Sequence, residues 1–218
     1  MAAPARDLAP LWHLRVLLCV LLLAPIAGLL SDGALEPALT PSSQIGVLYL
    51  PLLLANAGFA LYVSRVGLGS NKLPELFGQP ALRDVSLGLA LAVALLGVDG
   101  ALQASSGSAE SLAGHALLPK TWSAALLWVP LALSTALSEE LVYRGYLRRQ
   151  IENQSGSAAW GVVVQALLFG IAHGPQGPSA VVRYTLYATA LGAVAQRRGG
   201  LTAVVVCHCA VDLYAGWA

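Results

Sequence analysis

Apolar residues run along this chain in long charge-free stretches separated by short polar knots, and the lengths of those stretches predict its elements. The first is Val16 to Ser31, preceded by Arg6 and Arg15. That basic flank and the small residues from Ala24 to Gly28 would also suit a cleaved leader, but the runs that follow favour an uncleaved first span. Pro37 to Ser64 is 28 residues without a charge, enough for a tilted span with a Pro-Ser-Ser lead-in. The third run, Val85 to Ala109, is broken only by Asp99, and its Ala-Ser-Ser-Gly-Ser-Ala end reads as loop. This leaves a span from about Val85 to Leu102 with Asp99 at a solvated end. Thr121 to Ser138 begins a fourth helix, which the Leu, Arg, Gln and Glu residues beyond it carry past Arg149 to a stop at Asn153-Gln154-Ser155-Gly156-Ser157. Ala158 to Ala172, Ala180 to Gln196 and Leu201 to Trp217 supply three more. The pattern predicts an all-α, polytopic membrane helical bundle of about seven transmembrane helices, in a single domain over residues 1–218.

Composition agrees with that class. Hydrophobic residues make up 57% and charged residues 11%, against about 45–50% and about 25% in soluble domains. The net charge of +1, with no basic block, argues against nucleic acid as a partner and leaves the lipid bilayer as the surroundings. Cytoplasmic loops collect Lys and Arg. With the N-terminus inside, ten of the twelve fall on the cytoplasmic side, and only Lys120 and Arg183 fall at the outer face. Abundant Ala, Leu and Gly point to a bacterial source, hence a cytoplasmic (inner) membrane. Cys19, Cys207 and Cys209 sit in apolar runs and read as small buried side chains, not a disulfide framework. His13 and His115, without carboxylates at helical spacing, read as interfacial. Trp122, Trp128 and Trp217 read as interfacial anchors, and Tyr143, Tyr146, Tyr184 and Tyr187 read as packing.

Against this background the polar groups inside the late runs stand out. Ser138-Glu139-Glu140-Leu141-Val142-Tyr143-Arg144 closes the fourth apolar run with two carboxylates and an arginine. A charged side chain at the centre of a membrane helix costs about 2.5–3.5 kcal/mol on insertion scales, so such a residue is a functional candidate. The fifth run ends in Phe169-Gly170-Ile171-Ala172-His173, and the last contains His208-Cys209-Ala210-Val211-Asp212. Each stretch holds a pair at i and i+4, which a helix stacks on one face. Glu139 lies 16 residues before Ser155 and His173 lies 18 after it. Antiparallel helices rising about 1.5 Å per residue therefore bring the two to a similar depth. For His208 the sequence offers no matching turn from which to count its depth.

Glu-Glu-x-x-x-Arg, Phe-x-x-x-His and His-x-x-x-Asp, in that order on three late helices, resemble the CPBP superfamily of intramembrane proteases, which includes the type II CAAX prenyl endopeptidases and bacteriocin-processing proteins. The resemblance covers about Ser138 to Asp212 and sets a protease-like core at about residues 120–217; the N-terminal half resembles only generic membrane helices. It implies a glutamate-dependent endopeptidase acting on a membrane-anchored protein or peptide near its C-terminus, such as the sorting anchor of an exported protein. Glu139 and His173 take the water-activating roles, His208 and Asp212 face the oxyanion, and Glu140, Arg144 and Phe169 support them. Where the family often has asparagine, this chain has Asp212. An ionised aspartate repels an oxyanion, so Asp212 is protonated, orients His208 or binds a metal.

Hydrolysing an amide requires a base that activates water, and a carboxylate in a low-dielectric site can accept and return a proton near neutrality. Glu139, His173, His208 and Asp212 are also a possible oxygen and nitrogen set for zinc. With no HExxH signature, no cofactor is expected to be required. The competing class is a transporter-like or immunity protein that uses the same cluster for binding. It would tolerate Glu139→Gln, whereas an enzyme would not.

Overall fold

The computed structural model describes residues 9–30, 43–67, 73–77, 81–106 and 118–217. Arg6, Lys72, His115 and the Pro-Ser-Ser lead-in at 41–43, except Ser43, lie outside the described residues. Among the described residues all regular structure is helical. Helix α1 is Leu11–Leu30. Helix α2, Leu50–Tyr62, is continued by π-helical turns at Ile45–Tyr49 and Val63–Gly67. Then follow α3 (Leu73–Phe77), α4 (Leu82–Ser106), α5 (Trp122–Glu139) and α6 (Arg148–Ser155), with the π-helical stretch Glu140–Leu147 joining α5 to α6. Helices α7 (Ala158–Ala172), α8 (Pro178–Arg198) and α9 (Thr202–Ala215) complete the chain.

Each of the seven apolar runs contains a helix. Three helical segments have the length and apolarity to cross a membrane, at Ile45–Val66, Leu82–Ala101 and Trp122–Ser155. Shorter apolar helices occupy Leu11–Leu23, Ala158–Ala172 and Thr202–Ala215. Large apolar side chains such as Leu54, Val93, Leu126 and Trp160 face outward. A soluble monomer rarely exposes contiguous apolar surface on this scale, so the outward face is a lipid-facing one. The fourth run is different in kind. Half of its apolar window is buried within the protein, against 6% and 11% for the other two long segments, which makes Trp122–Ser155 the central helix. It continues beyond Arg149 as its helix-forming residues predict, and it ends where expected because Gly156 adopts φ 68°, the left-handed conformation that glycine accepts at a helix C-terminus. Gly199 ends α8 in the same way at φ 67°.

Side-chain caps set the starts. Thr121 Oγ1 accepts from the Ala124 amide at 3.2 Å and Ser157 Oγ from the Trp160 amide at 3.3 Å. Helix α7 lies along α8, α9 is wedged between α4 and α5, and α2 covers the other side of α5. Polar ties hold these layers. Arg198 Nη2 reaches Asp84 Oδ1 at 2.6 Å, linking the end of α8 to the start of α4. Arg148 Nη1 donates to Gln196 Oε1 and pairs with Glu152 Oε2 at 3.0 Å. The buried amide of Gln165 donates to the Ala188 carbonyl at 3.0 Å, binding α7 to α8.

Three local expectations change, at Asp99, Trp128 and Cys19, and His13 gains a partner. Asp99 is no solvated end: its Oδ1 accepts from Arg183 Nη1 and from the Tyr187 hydroxyl, each at 3.0 Å, tying α4 to α8. Trp128 is a buried core residue, not an interfacial anchor, and its indole N–H donates to the Asp212 carbonyl at 2.8 Å. His13 Nδ1 lies 2.6 Å from the Tyr62 hydroxyl, so it joins α1 to α2. Cys207 is buried, but Cys19 is exposed on the apolar exterior. In each polar case a lone group in an apolar run finds its partner on a distant helix, because an unpaired polar group in hydrocarbon is costly.

Helices α7 and α8 approach most closely at Gly170, where an added Cβ would lie 2.6 Å from the Val181 carbonyl oxygen and overlap Thr185 Oγ1. A backbone oxygen cannot swing aside. Gly170→Ala should therefore lower stability by about 1–3 kcal/mol through overpacking, read as a reduced thermal midpoint in detergent, whereas Gly58→Ala, with nothing within 4 Å of its Cβ, should leave the midpoint nearly unchanged.

Candidate active site

Glu139 and Glu140 sit where α5 gives way to the π-helical stretch, whose eight residues, Glu140–Leu147, are all buried. The changed hydrogen-bond pattern is explicit at the end of that stretch, where the Arg148 amide bonds the Tyr143 carbonyl five residues back. Short π segments inside α-helices recur at functional sites because they rotate side chains away from regular helical positions. Here the stretch carries one member of each charge: Glu140 Oε1 and Arg144 Nη1 are 3.0 Å apart and both side chains are fully buried. The guanidinium also lies over the Phe169 ring, 4.5 Å from its centroid, which gives the cation an aromatic face as well as a carboxylate.

Helix α9 delivers His208 into this cluster. His208 Nδ1 donates to Glu140 Oε1 at 2.9 Å. Its Nε2 lies 3.7 Å from Glu139 Oε2 and 3.6 Å from Asp212 Oδ2. Three carboxylates from two helices thus converge on one imidazole. Their exposure divides them: Glu140 is sealed, whereas the Glu139 and Asp212 side chains keep 28% and 26% of their surface. The carboxylates with open surface are therefore Glu139 and Asp212, and Glu140 is enclosed. The backbone of Asp212 is itself held by the Trp128 indole, which fixes the α9 end of the cluster against α5.

His173 enters from α7. It is the C-terminal cap of that helix, and its Nδ1–H donates to the Phe169 carbonyl at 2.8 Å, so in the neutral ring Nε2 carries the lone pair. The ring stacks on Tyr184 at 4.0 Å between centroids, and Phe169 lies 4.6 Å away. Phe169 is the common neighbour: its ring also meets Tyr143 edge-on at 5.0 Å and lies 6.2 Å from that of His208. The structure therefore brings Glu139, Glu140, Arg144, His208 and Asp212 into one cluster, with Phe169 between it and His173. The imidazole beside Glu139 is that of His208, whereas the sequence pairs Glu139 with His173. Similar depth along antiparallel helices does not determine which side chains touch; the wedging of α9 between α4 and α5 does. Among the described residues no group of three or more His, Cys, Asp or Glu side chains is arranged to hold a metal ion.

In the sequence pattern Tyr184 reads only as packing and Asp99 as a helix end. In the structure Arg183, held by Asp99, lies 5.1 Å over the Tyr184 ring, and Tyr184 stacks on His173. The signal was present in Asp99, the sole charge in its run.

The Glu140–Arg144 pair makes a quantitative expectation. Removing either partner alone, by Glu140→Gln or Arg144→Gln, should cost about 3–5 kcal/mol, since each strips a buried charge of its ion-pair partner. Combining the two should cost clearly less than the sum, measured as a double-mutant cycle on thermal or denaturant unfolding. No curated protein and no solved structure matches the chain. A family model does: residues 121–214, which include every site residue from Glu139 to Asp212, match Type II CAAX prenyl endopeptidase Rce1-like, a protease family, consistent with the CPBP superfamily.

Proposed function

We propose that this membrane protein is an intramembrane endopeptidase that hydrolyses a peptide bond near the C-terminus of a membrane-anchored protein or peptide. One observation carries the reading: Glu139, about a quarter exposed, and Asp212 flank the same nitrogen of His208 inside a lipid-facing bundle. The match of residues 121–214 to a protease family supports it independently.

The chemistry follows from charge and access. Glu139, Glu140 and Asp212 are three acids facing two bases, Arg144 and His208, so the cluster has one carboxylate in excess. Glu140 is sealed from its surroundings and held by Arg144 and His208, which leaves Glu139 to take a proton from water as the water oxygen attacks the scissile carbonyl. His208, as an imidazolium, donates at both nitrogens and presents Nε2–H toward the negative charge that develops on the carbonyl oxygen. Asp212 orients that ring, which accounts for an aspartate where relatives often carry asparagine. His173, with its Nε2 lone pair free to accept a hydrogen bond, helps hold the water. On collapse of the tetrahedral intermediate the C–N bond breaks and Glu139 returns its proton to the leaving amine. No metal enters these steps. The same reading takes seven spans in a bacterial cytoplasmic membrane, with the N-terminus in the cytoplasm and the site toward the outer half, where an exported substrate would lie.

In membranes from cells expressing each variant, Glu139→Gln and His173→Ala should insert normally but release none of the C-terminal fragments that wild type releases, as identified by mass spectrometry of the membrane-anchored proteins. The Glu139→Gln chain should retain uncleaved substrate that can be sequenced. Wild-type cleavage in both variants would overturn these roles and favour a binding protein. Purified enzyme treated with a strong chelator should keep its activity; loss that zinc restores would replace the metal-free scheme.

A further inference from the structure

An apolar groove of about 320 Å³ lies between α1 and α2, away from the carboxylate cluster, with walls formed by Val16, Val20, Ala55, Gly58, Phe59 and Tyr62. Positions 16 and 20 on α1, and 55, 58, 59 and 62 on α2, repeat at the three- and four-residue spacing of one helix face. The two faces run antiparallel, because His13 near the start of α1 meets Tyr62 near the end of α2. The groove is large for a side chain and small for a compact ligand, since ligand pockets span about 300–1,000 Å³. Its lining offers one hydroxyl, which His13 already engages, so its chemistry suits a hydrocarbon chain. Val16 and Val20 are about half exposed, which leaves the slot open along the lipid-facing side.

The end of the groove defines the headgroup. Arg15 adjoins Val16, Arg65 follows Tyr62 by three residues, and both are exposed at the same end as the His13–Tyr62 contact. Trp12, stacked on His13 with centroids 3.6 Å apart and itself exposed, adds an aromatic of the kind that sits at the membrane–water boundary. Neither α1 nor the described residues 43–67 carry an acid. One end is therefore cationic and interfacial, and the remainder is hydrocarbon-like. We infer that the α1–α2 groove is a binding site for an anionic phospholipid, with an acyl chain along Val16–Val20 and Gly58–Tyr62 and the phosphate between Arg15 and Arg65. Gly58 has nothing within 4 Å of an added Cβ, so the groove floor is open there and a larger side chain would project into the chain's path.

The test uses the full chain reconstituted in vesicles of equal parts phosphatidylglycerol and phosphatidylethanolamine, extracted in mild detergent and weighed by native mass spectrometry. Wild type should retain about one phosphatidylglycerol in preference to phosphatidylethanolamine. Gly58→Leu should lose it, and Arg15→Gln combined with Arg65→Gln should lower the preference about tenfold or more, two basic groups near an anionic headgroup being lost. If Gly58→Leu does not fold, the exposed arginine pair decides alone. Equal retention of the two lipids by wild type, unchanged preference in the arginine variant, a protein dimer in place of bound lipid, or one-for-one displacement of the lipid by a prenylated peptide would each overturn the proposal. The Glu139→Gln chain should retain the lipid as wild type does, so this result stands apart from the fate of the protease reading.

Discussion

Placing Glu140 and Arg144 inside the bundle together is the constraint from which the site follows. Neither charge is tolerable alone away from water, and their attraction offsets the loss of hydration only if the geometry holds both in place. The structure meets this with the π-helical stretch that sets them on one helix, the Phe169 ring under the guanidinium, and His208 donating to the same carboxylate oxygen. Each additional contact recruits another helix. Phe169 brings α7 and with it His173, and His208 brings α9 and with it Asp212. The ion pair is thus the nucleus around which the groups with chemical potential are gathered, while Glu139, next in sequence, is left with open surface.

A second layer secures the periphery of the same arrangement. Asp99 on α4 holds Arg183 and Tyr187 on α8, Arg183 covers Tyr184, and Tyr184 stacks on His173. On the opposite side the Trp128 indole holds the backbone carbonyl of Asp212. Both imidazoles are therefore braced by residues outside the three motifs. In a medium that offers few competing hydrogen-bond partners, buried polar groups draw on one another, and these contacts, aromatic as well as polar, link α4, α5, α7, α8 and α9.

Much of this was legible in the sequence because charge is scarce in it. The carboxylates at 139 and 140, the arginine at 144 and the pair at 208 and 212 all break apolar runs, and their helical spacing indicates which pairs share a face. The helix that runs through Arg149 was legible for the same reason, through residues of high helical propensity and the polar stop at Asn153–Ser157. What was not legible depends on contacts far apart in the chain. The imidazole beside Glu139 is decided by how α9 lies against α4 and α5, and the partners of Asp99, Trp128 and His13 are 49 to 88 residues away. The π-helical stretch left no periodic trace, since Glu140–Leu147 reads as ordinary helix in composition.

That widened stretch also separates two mechanical tasks. An α-helix advances about 100° per residue, so a helix of uniform pitch would lock the direction of Glu139 to that of Arg148, which is tied to Glu152 one turn further on and to Gln196 on α8. Inserting a turn of different pitch between them lets each end of the central helix take its own rotational phase. The acid-bearing half can take the phase that its cluster with His208 and Asp212 requires, and the anchoring half the phase that packing requires, along a single unbroken rod.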